Sequence, residues 1–192
     1  MFANLSWDLF IFVFFAIVLA YSFIIGRKGT TKIILSSYVA ILTTDGIGNG
    51  IGNFISGQFA ESEALKKSIA FIGFTGGIFQ FTAFSKIALL IALIVVIAKW
   101  GSFDVEVQES TGLSRFALNA LLAFFSGGLI LSIILVFANG GSLITGSSPA
   151  SAEFTQVYNQ SRLIKFMLDW HNFWFAAPGA IFAISSFLDK KD

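Results

Sequence analysis

Four stretches of this sequence carry at most one charge over the roughly 20 residues that a helix needs to cross the hydrocarbon core of a bilayer. They cover residues 7–25, 33–56, 78–98 and 116–137. Charged residues make up only 12% of the chain, against about 25% in an average soluble domain. We therefore predict an all-α, polytopic integral membrane protein whose residues 1–137 form a domain of four transmembrane helices.

The remainder of the chain has a different pattern. Residues 138–153 are rich in Gly and Ser and include a Pro, which predicts a linker. Residues 154–170 mix apolar and polar side chains and suit a helix along the interface, with Trp170 and Trp174 in the headgroup belt. Residues 173–188 are uncharged but short for a span and are interrupted at Pro178–Gly179. We predict that residues 154–192 form an amphipathic helix followed by a short fifth or re-entrant membrane helix.

Basic residues follow the first apolar run directly, at Arg27, Lys28 and Lys32. Loops rich in Lys and Arg stay on the cytoplasmic side of a membrane. These three basic residues therefore predict a short cytoplasmic turn at residues 26–29 and an N-terminus outside. The run lacks the preceding positive charge and the cleavage site of a signal peptide, so we expect an uncleaved anchor. By alternation, residues 61–67 lie outside, residues 69–75 lead into the third span, and residues 101–115 form a cytoplasmic link.

Several classes of chemistry find no support in this composition. The net charge is +1, there is no Cys, and His171 is the only His. Disulfides and thiolate metal sites are excluded, and one His cannot build a usual zinc or haem site. No glycine loop for nucleotides and no catalytic serine motif is present. We therefore expect no enzymatic activity, no cofactor, no metal and no nucleic-acid partner.

The second apolar run combines a carboxylate with amides and glycines. At helical spacing one face is small and polar, and the other is apolar with Ile47, Ile51, Phe54 and Ile55. The polar face consists of Tyr38, Leu42, Asp45, Gly46, Asn49, Gly52, Asn53 and Ser56. In lipid that face must turn toward other helices or a wet cavity.

Asp45 and Lys86 are the charges deepest in the apolar runs. Both lie roughly 20 Å from the same interface at 1.5 Å rise per residue, so they can meet. Three alternatives stay open: a proton or ion relay supported by Thr44, Asn49 and Asn53, a structural ion pair, or an unpaired Lys86 that reaches the headgroups. Asn119 adds a polar group in the fourth run.

Glycines in two of the runs are spaced for close helix packing. Gly46 with Gly50 and Gly48 with Gly52 form overlapping G-x-x-x-G patterns, and Gly127 continues a small-residue stripe in the fourth run. The patterns suit either packing within this chain or self-association. Besides the lipid bilayer, we therefore expect copies of the same chain or other membrane subunits as partners.

The order of these features resembles a known family. A basic Gly26–Gly29 turn joins two apolar helices, the second opens with Ile-Ile-Leu-Ser-Ser-Tyr-Val-Ala at 33–40, and Ser-Arg-Phe-Ala-Leu-Asn at 114–119 leads into a glycine-bearing fourth span. Over roughly residues 5–137 this is similar to the colicin V production protein family. The resemblance implies a bacterial inner-membrane protein linked to toxin production or export and to envelope homeostasis.

Two functional hypotheses follow. The first is a non-enzymatic scaffold or accessory subunit that assembles through its glycine faces. The second is a channel or transporter element with a polar path at Asp45, Asn49, Asn53 and Lys86.

Overall fold

A computed structural model describes residues 7–58, 62, 67, 77–101, 113–143 and 152–188. Every regular element in that part of the chain is helical, as predicted. The helices whose bounds lie within the described residues are α1 (Trp7–Gln58), α2 (Gly77–Trp100), α3 (Leu113–Ala138), α4 (Ala152–Gln160), α5 (Arg162–Asp169) and α6 (His171–Leu188). The predicted lead-in at 69–75, most of the loop at 61–67, most of the link at 101–115 and residues 144–151 lie outside the described residues.

The first two predicted spans are two helical segments joined at a kink, and together they form the element α1. α1 is 52 residues long and leaves helical geometry only at Gly26, where φ is 71° and ψ is −177°. This conformation is essentially confined to glycine. The kink at Gly26 lies within the turn predicted over residues 26–29, although only this one residue leaves helical geometry. Thr30 Oγ1 donates to the Gly26 carbonyl at 3.0 Å. We call residues 7–25 and 27–58 the first and second arms.

Three helices among the described residues are long and apolar enough to cross a membrane: Trp7–Phe54 in α1, Gln80–Trp100 in α2 and Phe116–Ala138 in α3. They contain the four predicted apolar runs because α1 holds two. Their outer surfaces carry large apolar side chains such as Phe12, Ile17 and Ile24, the last of them 81% exposed. Such surfaces are typical of helices that face lipid.

α1 packs against both α2 and α3. In α3, a methyl group added at Gly127 would lie 3.2 Å from Val18 Cγ1 and 3.4 Å from Phe15 Cδ1. The absence of a side chain at Gly127 thus lets the first arm approach α3 closely, as small residues do between membrane helices.

The tail is tied to the start of α1. The Asp8 carboxylate accepts hydrogen bonds from Ser161 Oγ at 2.5 Å and from the Leu163 backbone N–H at 3.2 Å. Ser161 in turn caps α5, because its Oγ accepts from the Ile164 N–H. α5 is amphipathic, with Ile164 and Met167 buried, but Ser161 divides the single helix predicted over residues 154–170 into α4 and α5. The negative charge of Asp8 near the N-terminus of α5 also interacts favourably with the dipole of that helix.

Trp174 is buried within the protein rather than exposed on its surface. Trp170 is 56% exposed, but Trp174 is only 3% exposed and packs among Phe15, Phe124 and Phe125. Gly128 provides the space, since a methyl group there would overlap the Trp174 indole ring. The burial of Trp174 could not be predicted from its own segment, because its environment is set by a glycine on another helix.

α6 continues through the predicted interruption at Pro178–Gly179. The Tyr38 hydroxyl donates to the Phe175 carbonyl at 2.5 Å and accepts from the Gly179 N–H at 3.0 Å. These two backbone groups are four residues apart, the spacing of a hydrogen bond within an α-helix. Tyr38 is thereby bonded to α6 next to its proline and joins the tail to the second arm.

Candidate intramembrane polar site

Asp45 and Lys86 form a buried ion pair between the second arm of α1 and α2. Lys86 Nζ lies 3.1 Å from Asp45 Oδ1, and the residues are 4% and 0% exposed, respectively. The structure therefore pairs the two charges, which leaves the relay and the structural ion pair as interpretations. A lone charge at this depth would be costly, whereas a hydrogen-bonded pair compensates much of the desolvation.

The pair is part of a closed ring of four side chains. Lys86 Nζ donates to Asn49 Oδ1 at 2.7 Å, and Asn49 Nδ2 donates to Ser142 Oγ at 2.8 Å. Ser142 Oγ then donates to Asp45 Oδ2 at 2.9 Å, and the Lys86–Asp45 contact closes the ring. Since an ammonium group only donates, the Asn49 oxygen must face Lys86, which directs its NH₂ group toward Ser142. One proton arrangement thus satisfies the whole ring.

The Lys86 ammonium has further partners outside the ring. Nζ lies 3.4 Å from the Gly141 carbonyl oxygen and 5.2 Å from the centroid of the Phe137 ring. The carbonyl gives the third N–H a weak acceptor, and the ring face attracts the positive charge. The ion pair has no net charge, so the site suits a low-dielectric interior as long as the ring stays closed.

The turn after α3 supplies Gly141 and Ser142. Gly140 has φ of 75°, its N–H donates to the Phe137 carbonyl, and the Gly141 N–H donates to the Val136 carbonyl. This is the Schellman arrangement that ends a helix at a glycine in the left-handed region. It turns the chain so that the Gly141 carbonyl and the Ser142 hydroxyl face Lys86 and Asp45.

Sequence reasoning missed this contribution because residues 138–153 were predicted to be only a linker. The available signal was Asn-Gly-Gly directly after an apolar helix, which is typical of a helix C-terminus and therefore of an ordered turn. Residues 139–143 are part of the packed structure, since Ser142 is 8% exposed.

Gly48 accommodates the aliphatic part of Lys86. A methyl group at Gly48 would lie 2.5 Å from Lys86 Cγ and 2.7 Å from Lys86 Cε, and one at Gly52 would lie 3.5 Å from Thr82 Cγ2. The Gly48–Gly52 pattern therefore serves packing within the chain. By contrast, a methyl group at Gly46 or Gly50 would meet no atom within 4 Å among the described residues, and both glycines are exposed.

The remaining predicted site residues lie outside the ring. Asn53 is exposed; Thr44 is fully buried, and its Oγ1 has no hydrogen-bond partner within the described part of the chain. Asn119 is buried in α3, away from the ring's hydrogen bonds. The predicted polar face needs correction as well, because Leu42 is 55% exposed and Gly46 faces outward, while Thr44 and Gly48 face inward. Close approach of Lys86 at Gly48, rather than polarity alone, selects the buried face.

Comparison with known proteins adds no family to this geometry. No protein-family model, curated protein or solved structure matches this chain. Among the residues that the structure describes, no three His, Cys, Asp or Glu side chains are grouped as a metal site would require. The chemistry of the site therefore has to be derived from the ring itself, which holds two opposite charges within a buried set of hydrogen bonds.

Proposed function

We propose that the protein is a non-enzymatic scaffold or accessory subunit of the bacterial inner membrane that assembles with copies of itself or with other membrane subunits. The observation that carries this proposal is the outward-facing pair Gly46 and Gly50 on the second arm. Exposed Leu42, Ile47 and Phe54 lie around it. A glycine pair within an apolar surface allows another helix to approach its backbone closely, which favours association in lipid.

The proposed topology has four crossings and a short fifth membrane helix, with the N-terminus outside. At 1.5 Å per residue the 52 residues of α1 extend over about 78 Å, more than twice a hydrocarbon core of about 30 Å. The bend at Gly26 supports two crossings in α1. Trp174 contacts Phe15 in the first arm, and Gly179 contacts Tyr38 in the second arm. Phe15 and Tyr38 each lie roughly 17 Å from the bend along their own arm. This depth supports a membrane-embedded α6.

The similarity of residues 5–137 to the colicin V production family supports the cellular context. It suggests a role in toxin production or export and in envelope homeostasis. In such a role the buried ring acts as a structural clamp that joins the second arm, α2 and the turn after α3, and the open glycine face provides the contact with the next subunit.

Replacement of Gly46 or Gly50 by Leu tests the proposed assembly face. We expect each variant to weaken self-association by about tenfold or more, because a bulky side chain separates the two backbones. Ile47→Leu is the matched control, since it changes an exposed apolar residue on the same helix without adding volume. Energy transfer between labelled chains in vesicles measures the association. A wild type that stays monomeric at all protein-to-lipid ratios, or Leu variants that associate like the control, would contradict the proposal.

A channel or transporter element is the second candidate, and the ring is the observation that favours it. Intramembrane ionisable residues often mark ion or proton pathways. Here Asp45, Asn49, Ser142 and Lys86 form a continuous set of groups that exchange hydrogen bonds. This function predicts proton or cation flux in proteoliposomes that Asp45→Asn abolishes while assembly is retained. Absence of flux in the wild type would reject it without affecting the scaffold proposal.

A further inference from the structure

A groove of about 560 Å³ lies beside the bend of α1. Its walls come from residues 18–25 and 29–33 of the two arms, from residues 94–99 of α2 and from Ser126 and Ile130 of α3. The volume falls within the range of roughly 300–1,000 Å³ that is usual for ligand sites. No residue of the polar ring lines it among the described residues, so it is separate from the site above.

The groove has an apolar body and basic side chains from two elements. Val18, Ile25, Ile94 and Val95 line the body, and Lys32 and Lys99 are its charged members. Within the described part of the chain, no acidic side chain lines it. Both lysines are close in sequence to the end of a proposed membrane span. Lys32 follows the bend by six residues, and Lys99 is the penultimate residue of α2.

The position of Lys99 supports a headgroup-level location for the basic end. Its Nζ lies 5.7 Å from the centroid of the Trp100 ring, and Trp100 is 71% exposed. Exposed tryptophans and lysines at the end of an apolar helix typically sit at the level of the lipid headgroups. The apolar body next to Ile94 and Val18 then lies at the depth of the acyl chains.

An anionic phospholipid matches both parts of this groove. Its acyl chain would fill the apolar body, and its phosphate would complement two positive charges. Basic pockets between membrane helices on the cytoplasmic side recognise such headgroups, and that leaflet carries the anionic lipids. A helix of another subunit would match the apolar walls but would leave both lysines without a counter-charge in the contact.

We propose that this groove binds one anionic phospholipid, with its phosphate between Lys32 and Lys99 and one acyl chain along the first arm and α2. The inference rests on the proposed membrane location but not on the proposed self-association. The bound lipid would lie beside the bend, against side chains of both arms such as Ile25 and Ile33.

Native mass spectrometry of the full chain in detergent tests the site, with phosphatidylglycerol as the anionic probe and phosphatidylcholine as the zwitterionic one. We expect one phosphatidylglycerol to be retained per chain in preference to phosphatidylcholine. Each Lys→Gln change at Lys32 or Lys99 should weaken retention about fivefold, and both together about 25-fold, because each basic side chain contributes separately. The mass of the same particles reports whether the chain has assembled.

Two matched variants make the outcome decisive. The pair Arg162→Gln and Lys165→Gln removes the same charge from the exposed surface of α5 and should leave retention unchanged. The pair Lys32→Arg and Lys99→Arg should retain the lipid, which separates loss of charge from loss of fold. Two results would overturn the proposal. In the first, the wild type retains phosphatidylglycerol and phosphatidylcholine equally. In the second, the Gln pair at the groove retains as much phosphatidylglycerol as the Gln pair on α5.

Discussion

Lys86→Met should lower the free energy of unfolding by about 3–5 kcal/mol, the range measured when one partner of a buried ion pair is removed. The Asp45 carboxylate is fully buried and would keep only the Ser142 hydroxyl among the ring donors. Methionine retains most of the aliphatic stem over Gly48, so lost packing contributes little. Unfolding in detergent mixtures, followed by circular dichroism, measures the change.

Lys165→Met is the control for this variant. It removes the same charge from an exposed position on α5 and should change stability by less than about 0.5 kcal/mol. A Lys86 variant as stable as the Lys165 variant would mean that the ring does not hold the helices together.

Gly48→Ala is the second variant with a large expected effect. The added methyl group would lie 2.5 Å from Lys86 Cγ, which is the base of the side chain rather than its mobile end. Either α2 shifts or Lys86 leaves Asp45, and overpacking of this kind typically costs about 1–3 kcal/mol. The same unfolding measurement applies.

Gly50→Ala is a close control, because Gly50 lies two residues further along the same helix and no described atom lies within 4 Å of an added methyl group. Its stability should stay unchanged or rise by up to about 1 kcal/mol, since alanine favours the helix. If the two alanine variants are equally stable, Gly48 has no special role in seating Lys86.

The long apolar runs could be predicted because their signal is local. A run such as residues 78–98 is apolar regardless of its neighbours, and α2 and α3 extend over the predicted third and fourth spans. The position of the bend could be predicted, because Gly26 begins a short basic segment between two apolar runs. Its small extent could not, since Arg27 and Lys28 form helix well once a single glycine has absorbed the change of direction.

The ring could be predicted only in part because its members come from separate elements. The depth of Asp45 and Lys86 follows from residue counting, and Asn49 lies one helical turn from Asp45. To predict the role of Ser142, one has to know how α3 ends. To predict that Gly48 faces Lys86, one has to know the path of the Lys86 side chain. The inward face of the second arm was misjudged at Leu42 and Gly46 because polarity and size alone do not reveal which neighbour approaches.

A double-mutant cycle between Asp45 and Lys86 tests the central claim that the ring is a structural clamp. The variants are Asp45→Leu, Lys86→Met and the combination, compared with the wild type by reversible unfolding in detergent. We predict that the double variant loses less stability than the sum of the single losses, with a coupling of at least about 1 kcal/mol, because it leaves no buried charge without its partner. Strictly additive losses would contradict the claim.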